Sequence, residues 1–242
     1  MKEMVIAGQK ILPGKRVQIN ALIAKLPTRT PIEIPVFVAR AKKEGPTLLI
    51  MAGVHGDETN GIETLRRLIK TKTYIPTAGT VIAIPVFNVY GFINHSRGLP
   101  DGKDLNRSFP GSKKGSLASR VAHFFTMEIL PQIDYGLDFH TGGASRNNYP
   151  QIRAAFENTK EIELAKVFGA PLIIKSAFRE KSLRSAAAKK GKSILVFEGG
   201  ETLRLRKSAI DAGVDGVLRV MKYLKMRDGA PAQIHHPLFI DK

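Results

Sequence analysis

Apolar residues along this chain recur at two different spacings, and the spacing changes near Gly45-Pro46. Before that point, Arg16 to Ala24 and Ile34 to Arg40 are extended, separated by the breaker-rich Lys25-Leu26-Pro27-Thr28-Arg29-Thr30-Pro31. That layout predicts an antiparallel strand pair. Beyond it, short continuous apolar runs alternate with segments whose apolar residues return every three to four positions. Leu48 to Ala52, Val81 to Val86, Tyr135 to Phe139, Ile152 to Phe156, Leu172 to Ile174 and Ser193 to Phe197 read as strands. Thr59 to Ile69, Leu117 to Ile129, Glu161 to Phe168, Ser182 to Lys190 and Ser208 to Met226 read as helices. Ser116 is placed to cap the second helix, Pro131 to end it, and Gly191 to stop the fourth. The tail after Met226 reads as irregular.

Continuous apolar strands alternating with helices predict a mostly parallel sheet covered on both faces. The antiparallel opening makes that sheet mixed. The expected architecture is a single three-layer α/β/α domain of class α/β spanning 1–242. With 43% hydrophobic and 24% charged residues, the composition supports a real core. The longest apolar stretches are strand-sized, which predicts no transmembrane helix and no membrane partner. The first ten residues lack the apolar region of a secretory signal, so the cytoplasm is the default expectation. The absence of cysteine excludes disulfides and thiolate metal sites.

Charge changes the picture more than composition does. Lys and Arg number 38 against 21 Asp and Glu, a net charge of +17. Nucleic acid must then be weighed as a partner. The cations are spread along the chain, with no aromatic-interleaved basic segment, no Trp and few stacking platforms. No nucleic-acid partner is expected. The surplus reads either as a solvated basic surface or as a field that draws in anionic substrates.

Chemistry-bearing residues collect where the predicted strands end. His55 and Glu58 follow the strand closing at Ala52, His140 follows Phe139, and Glu198 follows Phe197 ahead of Gly199-Gly200. The segment after the Val81 strand carries Arg97, Asp104, Asn106 and Arg107. Open α/β sheets bind ligands beyond the carboxyl ends of their strands, so these side chains are expected in one crevice. His55, Glu58 and His140 then form a two-histidine, one-carboxylate zinc site with a fourth position for water. Such a zinc acidifies its water and polarises a carbonyl, and Glu198 serves as general base and then acid. Arg97 is placed to oppose an oxyanion, and Asn106 and Arg107 to hold a substrate carboxylate. Asp104 and Asp138 are the expected acceptors that orient the zinc imidazoles. Asp138 lies two positions before His140, on the same strand face.

Four motifs in this order carry a family resemblance. They are Gly53-Val54-His55-Gly56-Asp57-Glu58, Asp104 through Gly111, Asp138-Phe139-His140 and Phe197-Glu198-Gly199-Gly200. From about Gly45 to Met226 the chain resembles the succinylglutamate desuccinylase/aspartoacylase family of zinc carboxypeptidase-like amidohydrolases. The resemblance implies a zinc carboxypeptidase-like (phosphorylase/hydrolase-like) fold, one Zn²⁺ per chain, and hydrolysis of the amide in a small anionic N-acyl amino acid. By that match His55, Glu58 and His140 are the ligands, Glu198 the base, Arg97 the oxyanion arginine, and Asn106 with Arg107 the carboxylate clamp. Two features depart from the family pattern. The sequence stops at Lys242, shortly after its closing helix, so a minimal form or a truncated product without the members' common C-terminal β-rich segment is expected. The substrate-contacting tyrosine of the carboxypeptidase relatives has no assignable match among Tyr74, Tyr90, Tyr135, Tyr149 and Tyr223.

The remaining polar residues read more plainly. His95 is a loop histidine near Arg97, His123 a helix histidine, and His235-His236 a pair without an acidic partner. Asp57 reads as a turn acid and Glu201 as a first-turn helix acid competing with Glu198 for the base role. Thr141-Gly142-Gly143 is either a tight turn or a backbone wall of the pocket. A carboxypeptidase acting on peptides, and a non-catalytic basic binding protein on the same fold, remain the rival readings. An exposed edge at the opening strands would permit a homo-oligomer.

Overall fold

The computed structural model describes residues 3–25, 28–144, 146–156, 159–231 and 237–241. Eleven strands and six helices are formed among them. In chain order these are β1 (Val5–Ile6), β2 (Gln9–Lys10), β3 (Arg16–Lys25), β4 (Pro31–Arg40), β5 (Lys43–Ala52), α1 (Thr59–Lys70), β6 (Ala78–Ile84) and α2 (Val89–Ile93). Then follow α3 (Leu117–Phe124), β7 (Tyr135–Gly142), β8 (Asn148–Ala154), α4 (Thr159–Phe168), β9 (Leu172–Lys175), α5 (Leu183–Ala188), β10 (Ser193–Glu201), α6 (Lys207–Tyr223) and β11 (Leu238–Ile240).

Nine strands form one sheet in the order β11-β9-β8-β10-β7-β5-β6-β4-β3. Its centre, β10-β7-β5-β6, is parallel. The sheet reverses direction at β8 on one side and at β4 on the other, and β3 runs antiparallel to β4. The opening pair and the mixed, mostly parallel sheet match the sequence pattern. The central strands carry apolar runs because both of their faces are covered. In β5, Leu48, Ile50 and Ala52 join one core with α1, α4 and α6. Leu49 and Met51 join the other, with α3, α5 and the β1–β2 hairpin.

The same alternation decides where the polar residues of β7 and β10 point. Leu137, Phe139, Leu195 and Phe197 all fill the core beneath α1, α4 and α6. Asp138, His140, Val196 and Glu198 therefore face the opposite side, toward α5. Register places Val196 beside Asp138 and Glu198 beside His140.

Several boundaries differ from the sequence expectation. The second helix does not run regularly to Pro131. It loosens into a π turn at Phe125–Ile129 and tightens into a 3-10 turn at Leu130–Gln132. Thr126 donates its hydroxyl back to the Ala122 carbonyl there, a bond that competes with the regular ladder. The strand expected at Ile152 to Phe156 is β8, and it starts four residues earlier in polar sequence. Asn148 and Gln151 find partners on β10, and no apolar alternation announces that half. Residues 157–158 lie outside the described set. The tail is not wholly irregular, since Leu238–Ile240 pairs parallel to β9. The β1–β2 hairpin was not expected, yet Met4, Ile6 and Ile11 are buried around it. No helix among the described residues is long and apolar enough to cross a membrane.

Glu63 on α1 links two helices. It accepts from Arg66 and Arg67, and Arg67 reaches Asp211 on α6 at 3.0 Å. The Arg66 and Arg67 guanidiniums hold the Glu63 carboxyl down to about 2, from an ordinary value of 4.5. A depressed folded-state pKa stabilises above the unfolded value and is lost as pH falls through the folded one. Glu63→Gln is expected to cost about 1 kcal/mol at pH 7, modest because the arginines are open to solvent. The gap to wild type should narrow as pH drops below 4.5 toward 2. Denaturant titrations at pH 7 and in that acid window check this. A gap independent of pH would mean that packing, not charge, is responsible.

Candidate active site

The chain leaves β5 through Gly53, whose φ of +68° few side chains tolerate. It is held there as Phe87 and Asn88 donate their N–H groups to the Ala52 and Gly53 carbonyls. Gly56 lies flat against α2, where a Cβ would stand 1.9 Å from the Gly91 carbonyl carbon. Glycine is thus required between His55 and Asp57 for steric reasons. The tight turn carries both His55 and Glu58 inward, and both are buried. Glu58 immediately precedes α1, so its carboxylate sits over the carboxyl end of the parallel strands.

Three side chains converge at this point. Glu58 contacts His55 Nδ1 with one carboxylate oxygen and His140 Nδ1 with the other, each at 2.8 Å. Its second oxygen also accepts from the Thr141 N–H. One donor atom from each of His55, Glu58 and His140 falls within 4.8 Å of the others. On their far sides, His55 Nε2 meets Asp104 Oδ1 at 3.2 Å and His140 Nε2 meets Asp138 Oδ2 at 2.9 Å. Asp104 and Asp138 thus stand where the sequence pattern placed them.

This donor set calls for a cation. Each imidazole faces a carboxylate at both nitrogens, while a neutral imidazole has one N–H to give. With the Nε2 proton directed to Asp104 or Asp138, each Nδ1 lone pair points at the Glu58 carboxylate. Either additional protons or a metal ion must relieve that opposition. Burial works to lower both histidine pKa values, yet their carboxylate partners override it. Asp104 and Glu58 hold His55 above its ordinary value, and the Asp138 and Glu58 charges hold His140 well above. Conversely, burial would raise Glu58 and Asp104, but the facing imidazoles hold both far below the usual carboxylate range. Two imidazole nitrogens and a carboxylate oxygen, each oriented from behind, suit a borderline divalent ion such as zinc.

The other expected residues reach the same cavity, which has a volume of about 430 Å³. Arg97 donates to Asp104 Oδ2 at 3.0 Å and to Glu58 Oε1 at 3.4 Å, so Asp104 bridges it to His55. Asn106 and Arg107 share one 3-10 turn that Asp104 caps by accepting from the Asn106 N–H. Asn106 lines the cavity and accepts through its side-chain Oδ1 from the Leu183 N–H at the start of α5. Glu198 lines the cavity from β10 and does not follow the strand but belongs to it. The backbone at Thr141 to Ala144 forms one wall, so the segment both ends β7 and lines the pocket.

Other residues sit elsewhere. Glu201 is not a helix acid: it closes β10 and pairs with Arg204 and Arg206 ahead of α6. His95 is exposed in a turn at φ +50°, and His123 is half-buried on α3. His235 and His236 lie outside the described residues. None of the five tyrosines lines the cavity.

Sequence reading missed the partners of Glu198. Arg153 on β8 pairs with its carboxylate at 2.7 Å, and Asn148 donates to its other oxygen. Both come from the antiparallel strand whose polar half carries no apolar signal. Arg184 on α5 and Arg179 before it line the same cavity. Asn60 was also missed. Buried two residues beyond Glu58, it donates to the Glu201 and Arg204 carbonyls and accepts from the Arg206 N–H. It thereby ties the Glu58 turn to the loop that follows Glu198.

Sequence and structure comparisons agree on the ancestry of this arrangement. Residues 44–224 match the family model described as the succinylglutamate desuccinylase/aspartoacylase catalytic domain. The chain belongs to that family. It is 35% identical over 198 residues to the N-alpha-acetyl-L-2,4-diaminobutyric acid deacetylase of Halomonas elongata, covering 77% of this chain and 58% of that protein. It is 27% identical over 136 residues to the succinylglutamate desuccinylase of Pseudomonas aeruginosa, covering 54% of this chain and 39% of that one. The chain thus spans between two-fifths and three-fifths of the length of these relatives. Among solved structures, the succinylglutamate desuccinylase/aspartoacylase from Rhodobacter sphaeroides superposes with a TM-score of 0.83 at 27% identity. That match covers 94% of this chain and 73% of the other. The fold is the zinc carboxypeptidase-like α/β/α architecture.

Asn60→Ala removes three part-buried hydrogen bonds that tie the start of α1 to the loop after β10. Buried polar groups left without partners cost about 1–3 kcal/mol each, so the midpoint of thermal unfolding should fall. Asn60→Asp keeps the acceptor for Arg206 and should recover part of the loss. Equal melting of the alanine variant and wild type would show that the loop is held by other contacts.

Proposed function

We propose that this chain is the catalytic unit of a zinc-dependent amidohydrolase that removes the acyl group from a small N-acyl amino acid. The observation that carries this reading is the convergence of His55, Glu58 and His140 at the floor of an arginine-rich cavity that Glu198 also lines. His55, His140 and Glu58 would hold a zinc ion, which would supply a Lewis acid and an acidified water. Asp104 and Asp138 keep the Nε2 protons in place, which leaves both Nδ1 lone pairs free to bind.

The protein groups around that point have separable tasks. Glu198 accepts a proton from the attacking water and returns it to the departing amine nitrogen. Arg153 and Asn148 hold its carboxylate in one orientation during both transfers. Arg97 turns its guanidinium to the charge that develops on the former carbonyl oxygen, fixed in place by Asp104. Arg107 and the Asn106 amide hold the carboxylate of the amino acid, the first as a fork of parallel donors. A cavity of about 430 Å³ accommodates a small N-acyl amino acid, and membership of a family of deacylases favours that substrate over a peptide.

Protein purified without chelators is expected to carry one zinc per chain by metal analysis. His140→Ala should lose it. Because both imidazoles must shed protons to bind, metal retention should weaken as pH falls. Glu198→Gln should keep the zinc yet lose roughly a hundredfold or more in kcat on N-acetyl, N-formyl and N-succinyl amino acids. Zinc-free protein, or undiminished hydrolysis by Glu198→Gln, would refute the assignment.

A further inference from the structure

Three cavity residues stand in one row across the sheet. Parallel pairing sets Val196 on β10 beside Asp138 on β7, and antiparallel pairing sets it beside Arg153 on β8. Leu137, Phe139, Ile152, Ala154, Leu195 and Phe197 fill the core on one face, so Asp138, Val196 and Arg153 all turn to the other. All three line the cavity. With neighbouring strands about 4.8 Å apart, the Cα atoms of Asp138 and Arg153 lie roughly 10 Å from each other. The methyl groups of Val196 stand between them.

Val196 is out of character with its surroundings. Every other lining side chain larger than alanine carries a polar group, among the described residues. On one side of Val196, Asp138 is 1% exposed and meets His140 with Oδ2, while its Oδ1 is buried with no hydrogen-bond partner among the described residues. On the other side, Arg153 pairs with Glu198 at 2.7 Å. A buried carboxylate oxygen without a donor costs free energy, and a guanidinium is among its strongest partners. The two nevertheless do not pair. A β-branched side chain has few rotamers, so Val196 closes the lane between them and cannot fold aside.

We propose that Val196 is a positioning residue, an aliphatic barrier that keeps Arg153 on Glu198 and off Asp138. The inference rests on the zinc amidohydrolase reading and deepens it. Were the lane open, Arg153 would close on Asp138 Oδ1. That shift draws the Asp138 carboxylate away from His140 Nε2 and loosens one ligand of the metal. It also leaves Glu198 without the guanidinium that orients it for proton transfer. One valine thus keeps ligand orientation and proton transfer from competing for a single cation.

Zinc affinity and structure test the barrier apart from turnover. Val196→Ala should bind zinc roughly tenfold more weakly than wild type, the usual scale for a disturbed group behind a metal ligand. Val196→Thr keeps the bulk of valine and should stay within about threefold of wild type on that same scale. The double variant Val196→Ala/Arg153→Met should recover the zinc affinity of Arg153→Met alone, a coupling that a simple packing defect does not produce. A crystal structure of Val196→Ala should show Arg153 on Asp138. Equal zinc affinity of Val196→Ala and wild type, no recovery in the double variant, or Arg153 still on Glu198 in Val196→Ala would overturn the barrier. If Val196→Ala does not fold, Val196→Thr decides: affinity near wild type supports the barrier, and a loss of roughly tenfold overturns it. Wild-type protein that binds no zinc would instead overturn the amidohydrolase reading, while the Val196→Ala structure would still show which carboxylate Arg153 takes.

Discussion

A buried carboxylate facing two imidazoles at 2.8 Å is the contact around which this molecule is arranged. Glu58 belongs to the turn after β5, His55 to the same turn, and His140 to the next strand of the sheet. Charge this dense in a buried place is unfavourable by itself, because desolvation opposes every ionised member. It persists because each member is answered. Asp104 and Asp138 stand behind the imidazoles, Thr141 donates its N–H to Glu58, and Arg97 bridges Asp104 and Glu58. The structure around the site reads as the means of keeping those answers in place.

The sheet does most of that positioning through parity and register. A strand turns alternate residues to opposite faces, so Phe139 and Phe197 anchor β7 and β10 in one core. That anchoring delivers Asp138, His140 and Glu198 to the other face without any further device. The parallel pairing of β7 with β10 then sets His140 directly beside Glu198. A slip of one residue in either strand would bury these charges among phenylalanines, so the aromatic packing protects the chemistry. Asn60 adds a cross-tie from the other direction, holding the loop after β10 against α1.

The net charge of +17 acquires a local meaning in this setting. Along the sequence the cations are scattered, which argues for a solvated surface. In three dimensions six arginines from distant segments meet at one cavity, and three of them come from residues 146–179. They supply a field for anions and specific donors at known positions. On the proposed reading, an anionic small substrate accounts for that gathering, whereas a nucleic acid would call for an extended basic face.

The elements legible from sequence were those whose burial is complete. Continuous apolar runs located β5, β6, β7 and β10, and the three-to-four spacing located α1, α4 and α6, because burial on two faces or on one stripe leaves a periodic trace. The motif residues His55, Glu58, Asp104, Asn106, Arg107, Asp138, His140 and Glu198 were legible because strand ends in such a sheet open on one crevice. Arg153, Asn148, Arg179, Arg184 and Asn60 were not. Their positions depend on β8 being inserted between β9 and β10, parallel to the first and antiparallel to the second, and on loop crossings that bring residues 60 and 206 together. Local sequence determines which segments become strands and which metal-ligating residue types stand at their ends, since both follow from near neighbours, whereas His140 meets Glu58 only through the pairing of β5 with β7. Which arginine faces which carboxylate is decided only when the sheet closes, because that pairing is a matter of long-range register and carries no periodic signature in the chain.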